Sequence, residues 1–430
     1  MKHRKILNVL KSIGYLFSTA VLAAVLGFLL QVVLARELGV EGFGTLASSL
    51  AIINLVGPIG GFGLAGVLLK LYGQEGSYAN RWSSTVLIYL YITVSISIGL
   101  IIIWAYAGPH SGVNKILLLL LIPHLVSISL VPIVSAKFQL AGRVKHLSFL
   151  QLAPNALRLT PLVVLVYIFG FKADEVYYAA AIYTGSAIFL NVFLIYQLKN
   201  IFSGNFKAAI EINNDSDDQK SITPPLNELV LKAFPYGLAG FFYLIYFQSD
   251  LIILKYMKGE VEAGIYNVGF IIIAAVYIFP TVVYQKFLMP KLHVWQNVNR
   301  DKVRSVYYYG NIAMFSFGLI AVALIYLLMP TAMPIIFGED YNSAISLVLF
   351  LSLAIPFRFI AASSGAILNT GEHIIAKVKL MSIIATLNII INIILIPKYG
   401  IYGAAAATIF SEFLSMVLYS LYYRKKIKAV

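Results

Sequence analysis

The sequence predicts an all-α integral membrane protein of twelve transmembrane helices in two six-helix halves. Three observations lead there. Of the 430 residues, 60% are hydrophobic and 12% are charged, against about a quarter charged in soluble chains. The apolar residues gather in runs of about twenty, the length that crosses a hydrocarbon core as a helix. The lysines and arginines fall mainly on alternate connections. Only Arg36, Lys115, Lys172, Lys255, Lys258 and Lys398 lie on the opposite set, and Lys137, Arg158 and Arg358 lie inside runs. Such an asymmetry puts the basic side in the cytoplasm, and both termini fall on that side.

The first run, 13–35, follows Lys2, Arg4, Lys5 and Lys11. It is longer than a signal peptide, no small-residue cleavage site ends it, and a second run follows at once, so it is expected to remain as a helix. The second run, 43–69, carries Asn54, Pro58 and Gly60-Gly61, a polar break of the kind found in gating helices. Runs at 84–107, 115–140, 147–169 and 176–198 complete the first half. Residues 199–228 form a long polar stretch with an Asp-rich centre and Pro224-Pro225 after it. They read as a cytoplasmic linker. The acidic centre lacks the glycine and closing glutamate of a calcium-binding loop. Further runs follow at 229–254, 263–285, 306–329, 343–368, 375–396 and 400–423, ahead of the tail Arg424-Lys425-Lys426-Lys428. The expected domains are therefore 1–198, the linker 199–228 and 229–430.

The net charge of +14 is mostly topological. Its basic residues are scattered over many cytoplasmic segments without a nucleic-acid-binding motif, so anionic membrane lipids are the expected partners and nucleic acid is not. The chain has no cysteine, which excludes disulfides, thiolate catalysis and cysteine-bound metal. The histidines at 3, 110, 124, 146, 293 and 373 are scattered, and neither HExxH nor GxSxG occurs. No metal, cofactor or catalytic group is expected. A membrane glycan polymerase or ligase would need a sizeable outward loop, and the outward loops here are short.

The charges inside the runs carry the functional reading. Arg158 lies near the middle of run 147–169, where a guanidinium costs roughly 2.5–3.5 kcal/mol to insert. Gln151 and Asn155 precede it at helical spacing, and Pro154 and Pro161 flank the stripe. Such a stripe faces protein or a hydrated, cationic cavity. Arg358, after Pro356, is its counterpart in the second half. Lys137 is expected to snorkel to the cytoplasmic interface. Arg36, Lys70 and Lys255 stand at run ends, where they either anchor the interface or add to a cationic cavity. Two acids also lie inside runs, Asp250 in the outer third of its helix and Glu412 at mid-helix. Each is protonated, paired with an arginine, or the site of a coupling ion. Tyr243 and Tyr246 share a helix face with Asp250, and Tyr266, Phe270, Tyr277 and Tyr284 share another; packing is the commoner use of such stripes and sugar stacking the rarer.

The halves also resemble each other, as in transporters built from internal repeats. Arg36 to Gly44 parallels Lys255 to Tyr266, and Gly170 with Tyr178-Ala179-Ala180-Ala181 parallels Gly400 with Gly403-Ala404-Ala405-Ala406. At Ala35-Arg36-Glu37-Leu38-Gly39, Phe43-Gly44, Phe62-Gly63-Leu64, Pro235, Gly264-Ile265-Tyr266, Leu368-Asn369-Thr370-Gly371 and Tyr399-Gly400-Ile401-Tyr402-Gly403 the chain resembles the multidrug/oligosaccharidyl-lipid/polysaccharide exporter superfamily. Within it, the Wzx-type flippases of O-antigen and capsule repeat units are most similar. The resemblance implies two six-helix bundles packed as a V around a central cavity. It also implies a lipid-linked cargo, an undecaprenyl-pyrophosphate oligosaccharide, carried across the bacterial inner membrane. A polysaccharide polymerase and chain-length regulator would be partners. Arg158, Arg358, Gln151, Asn155, Arg36, Lys70 and Lys255 would then bind the anionic cargo, with Asp250 and Glu412 available for ion coupling. A drug or metabolite exporter of the same superfamily is the alternative. Helix 1 lacks the acid that cationic drugs would favour.

Overall fold

The computed structural model describes residues 2–170, 176–204, 206, 223–289, 292, 295, 300–369 and 373–427. The Asp-rich centre of the linker, His293, and Thr370 to Glu372 of the proposed repeat lie outside them. Among the described residues the chain is helical throughout, with no strand. In order, the helices are α1 (Lys2–Val56), α2 (Leu64–Glu75), α3 (Ser83–Ala107), α4 (Gly112–Leu120), α5 (Ile122–Leu140), α6 (Val144–Val163), α7 (Val176–Phe202), α8 (Leu226–Lys258), α9 (Glu260–Thr281), α10 (Arg300–Phe337), α11 (Ser343–Ser352), α12 (Ile355–Ile367) and α13 (Ile374–Tyr422).

Two of these are pairs of helical segments joined at glycine. Gly39 in α1 has φ 64° and Gly400 in α13 has φ 53°, left-handed values that cost a residue with a Cβ. Both fall where the sequence places a boundary between runs. The polar break in run 43–69 is present too. α1 ends at Val56, a tight turn covers Gly57–Ile59, and α2 begins at Leu64. Carbonyls released by a broken helix need partners inside a membrane. Here Ser97 Oγ donates to Val56 O at 3.0 Å, and Ser129 Oγ donates to Gly57 O at 2.8 Å.

Among the described residues, eight stretches are long and apolar enough to cross a bilayer, or nine if the bent pair α11–α12, 43° apart, is one span. The sequence reading expects twelve. The difference lies in Gly14–Ala107, 94 residues, and Ile375–Lys425, 51 residues, each far longer than the roughly 20 residues of one crossing.

Contacts divide the chain into two compact units. One comprises Met1–Leu30 and Ser49–Phe241, the other Gln31–Ser48 and Phe242–Val430, so α1 and α8 each contribute to both. In the first unit, Leu68, Tyr72, Val86, Phe138, Leu150 and Leu194 bring α2, α3, α5, α6 and α7 into one core. In the second, Ala361, Leu368, Ile384 and Tyr419 join α12 to α13. Lipid is as apolar as these side chains, so packing and hydrogen bonds between helices hold such units together.

Candidate functional site

In the first unit, Arg158 projects from α6 towards α5 and α7. Its Nη2 donates to His124 Nδ1 at 3.1 Å, and its guanidinium lies 4.6 Å from the centre of the Tyr183 ring. A guanidinium offers only donors, so His124 accepts through an unprotonated Nδ1. The imidazole meets Tyr183 edge-on, with centroids 5.4 Å apart. Among the described residues, Arg158 Nε is buried without a hydrogen-bond partner and no carboxylate pairs with this arginine. The cation is therefore held by a neutral imidazole and a phenol ring.

The rest of the expected stripe points elsewhere. Asn155 Nδ2 donates to Ala23 O at 2.8 Å, and Gln151 Oε1 accepts from Thr19 Oγ1 at 3.4 Å. Both residues tie α6 to α1. Lys137 does not snorkel as expected: it is 5% exposed, and its Nζ donates to the carbonyl and amide oxygens of Gln197 on α7.

In the second unit, Arg358 on α12 pairs with Glu412 on α13, Nη1 to Oε1 at 3.5 Å. Its guanidinium lies 5.2 Å from the Phe247 ring and 5.3 Å from the Tyr277 ring. Of the readings open for Glu412, pairing with an arginine is what this geometry shows. Arg358 also borders a cavity of about 90 Å³, together with Tyr243, Tyr246, Tyr284, Lys377 and Tyr419. Lys377 carried no weight in the sequence because, beside Lys379 at the very start of run 375–396, it reads as one more cation at a cytoplasmic run end. Its Nζ donates to Asn369 Oδ1 at 2.8 Å and Gly365 O at 3.1 Å.

Among the described residues, no arginine pairs with Asp250. Its carboxylate, 4% exposed, accepts from Tyr266 OH at 2.8 Å, from Thr408 Oγ1 and from Asn392 Nδ2. Asn388 Oδ1 accepts in turn from Ser249 Oγ at 2.9 Å and Asn392 Nδ2 at 3.1 Å. α8, α9 and both segments of α13 thus converge on one buried carboxylate. Half of this cluster was legible: Asn388 and Asn392 stand one helical turn apart. Thr408, Ser411 and Ser415 share a helix face with Glu412, which the sequence already marks, and could have been found by the same spacing.

The remaining cations sit apart from the cavity. Arg36 caps α10, its guanidinium donating to Ile336 O at 2.7 Å and to Ile335 O, as cations do for the last carbonyls of a helix. Lys255 is 6% exposed with its Nζ unpartnered among the described residues and 4.8 Å from the Tyr256 ring. Lys70 is exposed on α2.

Long apolar helices with charged and polar groups buried between them define a multi-pass membrane protein. The chain belongs to the family described as polysaccharide biosynthesis protein, whose model matches residues 9–293. Among curated relatives, an uncharacterized membrane protein of Methanocaldococcus jannaschii, MJ1068, is 34% identical over 28% of this chain and 24% of its own length. The capsular polysaccharide biosynthesis protein CapF of Staphylococcus aureus is 24% identical over 40% of this chain and 44% of its own. The chain thus spans less than half the length of these relatives. Among solved structures, the lipid II flippase MurJ in an inward closed conformation aligns with a TM-score of 0.71 at 16% identity, over 96% of this chain and 88% of that one. An inward-facing multidrug resistance MATE family transporter of the MOP superfamily aligns at 0.70 and 15% identity, over 95% of each. These likenesses show the fold alone, one shared with these two structures.

Proposed function

We propose that the protein flips an undecaprenyl-pyrophosphate-linked oligosaccharide repeat unit across the bacterial inner membrane by alternating access, for O-antigen, capsule or exopolysaccharide assembly. The observation that carries this reading is Arg158, a permanently charged group inside a membrane helix that is met by His124 and Tyr183 and, among the described residues, by no carboxylate. A cation kept without a counter-ion suits an anionic cargo and repels organic cations. Arginine also fits the task because its fork takes phosphate oxygens in pairs. Arg358 is the second candidate contact. Family membership agrees with polysaccharide assembly, and CapF, a matched relative, is named for capsule biosynthesis. The polysaccharide polymerase and chain-length regulator are the expected partners. The protein would supply a path and a charge match without a chemical step, and its reorientation would be the slow event.

Asp250 is the candidate for ion coupling. A buried carboxylate met by two hydroxyls and the Asn392 amide nitrogen, with Asn392 Oδ1 unpartnered among the described residues, is a candidate ligand for a sodium ion or a place for a proton. The proposed frame has twelve crossings with both termini cytoplasmic, and bundles at 1–198 and 229–430 joined by the linker 199–228.

Deletion of the gene tests the reading. Undecaprenyl-linked repeat units should accumulate on the cytoplasmic leaflet and surface polysaccharide should be lost. Unaltered polysaccharide together with lost resistance to cationic dyes would sink the flippase and favour a drug exporter.

A further inference from the structure

We propose that the second unit contains an oxyanion site of its own, formed by Lys377 and Arg358 around the 90 Å³ cavity, with affinity held down by Glu412. Among the described residues, the wall of this cavity carries two cations and no carboxylate. Glu412 lies behind the wall, with 1% of its side chain exposed, and reaches Arg358 at 3.5 Å, long for a charge-assisted hydrogen bond. Among the described residues one carboxylate thus stands against two cations, and 20% of the Arg358 side chain stays exposed where it borders the cavity.

Lys377 is aimed rather than loose. Asn369 Oδ1 and Gly365 O take two of its three ammonium protons, and the third is free for a ligand. It is the fourth residue of α13, so the helix dipole adds positive potential in that turn. The phenols of Tyr243 and Tyr284 on the same wall can donate to further oxygens. A water needs about 10–15 Å³ of such space, so the cavity holds either several waters or one phosphoryl group. Two cations with phenol donors in a volume of that size select a phosphoryl or pyrophosphoryl oxyanion over a neutral sugar. Whether the oxyanion belongs to a lipid headgroup or to a soluble phosphate rests on the transport reading; the site itself does not.

The test is calorimetric titration of the purified full-length protein in detergent with inorganic pyrophosphate and with farnesyl pyrophosphate. Both should bind. Lys377→Gln should weaken binding by tenfold or more, and Lys377→Arg should keep most of it. Lys379→Gln, which removes the same charge from an exposed position two residues on, should stay within twofold of wild type. Glu412→Gln should tighten binding severalfold, an outcome that a merely structural Lys377 would not produce. Tighter binding of the prenyl compound assigns the site to a lipid headgroup, and equal binding assigns it to the soluble anion; either supports the site. No binding to wild type, or equal affinity in wild type and a folded Lys377→Gln, overturns it. If Lys377→Gln does not fold, unchanged affinity in both Lys377→Arg and Glu412→Gln overturns it instead. Anion binding that fails in Lys377→Gln, in a protein whose deletion leaves surface polysaccharide intact, would keep the site and sink the transport reading. The opposite pair of results would sink the site alone.

Discussion

Arg158 and Arg358 are both guanidinium groups inside membrane helices, and their surroundings handle the charge differently. Arg358 has a carboxylate at 3.5 Å, whereas Arg158 has an imidazole and a phenol ring. Replacing Arg158 relieves an insertion cost of roughly 2.5–3.5 kcal/mol. Arg158→Ala is therefore expected to accumulate at wild-type level, by quantitative blotting of membranes, and to fail to complement a deletion strain. Restored activity in Arg158→Met would show that the arginine only fills space. Asn155 gives the contrast. Its amide is one interhelical hydrogen bond to Ala23, worth about 0.6 kcal/mol on average in a membrane, so Asn155→Ala should both accumulate and complement. At Asp250, Asp250→Asn keeps the volume and removes the charge that a cation would need; transport should lose its dependence on the coupling ion, measured in vesicles with imposed sodium or proton gradients. The charged residues inside runs were legible because a charge among apolar neighbours stands out. Their partners were not. Nothing in local spacing joins Arg158 to His124, or Lys377 to Asn369 and a cavity, since packing between helices brings these groups together.

Helix limits followed the apolar runs where glycine or a polar cluster interrupts them, at Gly39, Gly400 and Pro58. They diverged at proline. The run 306–329 stops before Pro330, yet α10 continues through Pro330 and Pro334 to Phe337, since membrane helices tolerate proline where other groups meet the carbonyls it frees. The motif glycines acquire a plain packing role. An added Cβ on Gly44 would lie 1.9 Å from Glu260 O, and one on Gly264 would lie 2.2 Å from Val40 O. The end of α1 and the start of α9 therefore touch backbone to backbone, which accounts for Gln31–Ser48 being counted with the second unit. Backbone cannot turn aside as a side chain can. Gly264→Ala should thus lower the level of folded protein severalfold in detergent size-exclusion profiles. Gly99→Ala in α3, where nothing lies within 4 Å, should be neutral or slightly stabilising because alanine favours the helix. Equal profiles for the two variants would refute the close contact.

For the molecule as a whole, the property most open to sequence reasoning is topology, because it depends on charge summed over segments and not on any pair of side chains. Length and hydropathy return eight or nine stretches. The count of twelve follows if Gly14–Ala107 crosses three times and Ile375–Lys425 twice. Three crossings in the first stretch suit its breaks at Gly39 and Gly57–Ile59 and its basic turn at Lys70 and Arg81; two or four would put α4 on the other side and invert every connection after it. Parity makes the count testable with few probes. Reporter fusions after Gly112 and Asp340 should read as external, and those after Ser216 and Val430 as internal. An error of one crossing before residue 112 reverses the first reading and all later ones together, whereas an error within 375–425 reverses only the last. External activity at Ser216 would overturn the two-half organisation. It would also place the basic segments against the positive-inside bias, which selects orientation through the lysines and arginines of short loops.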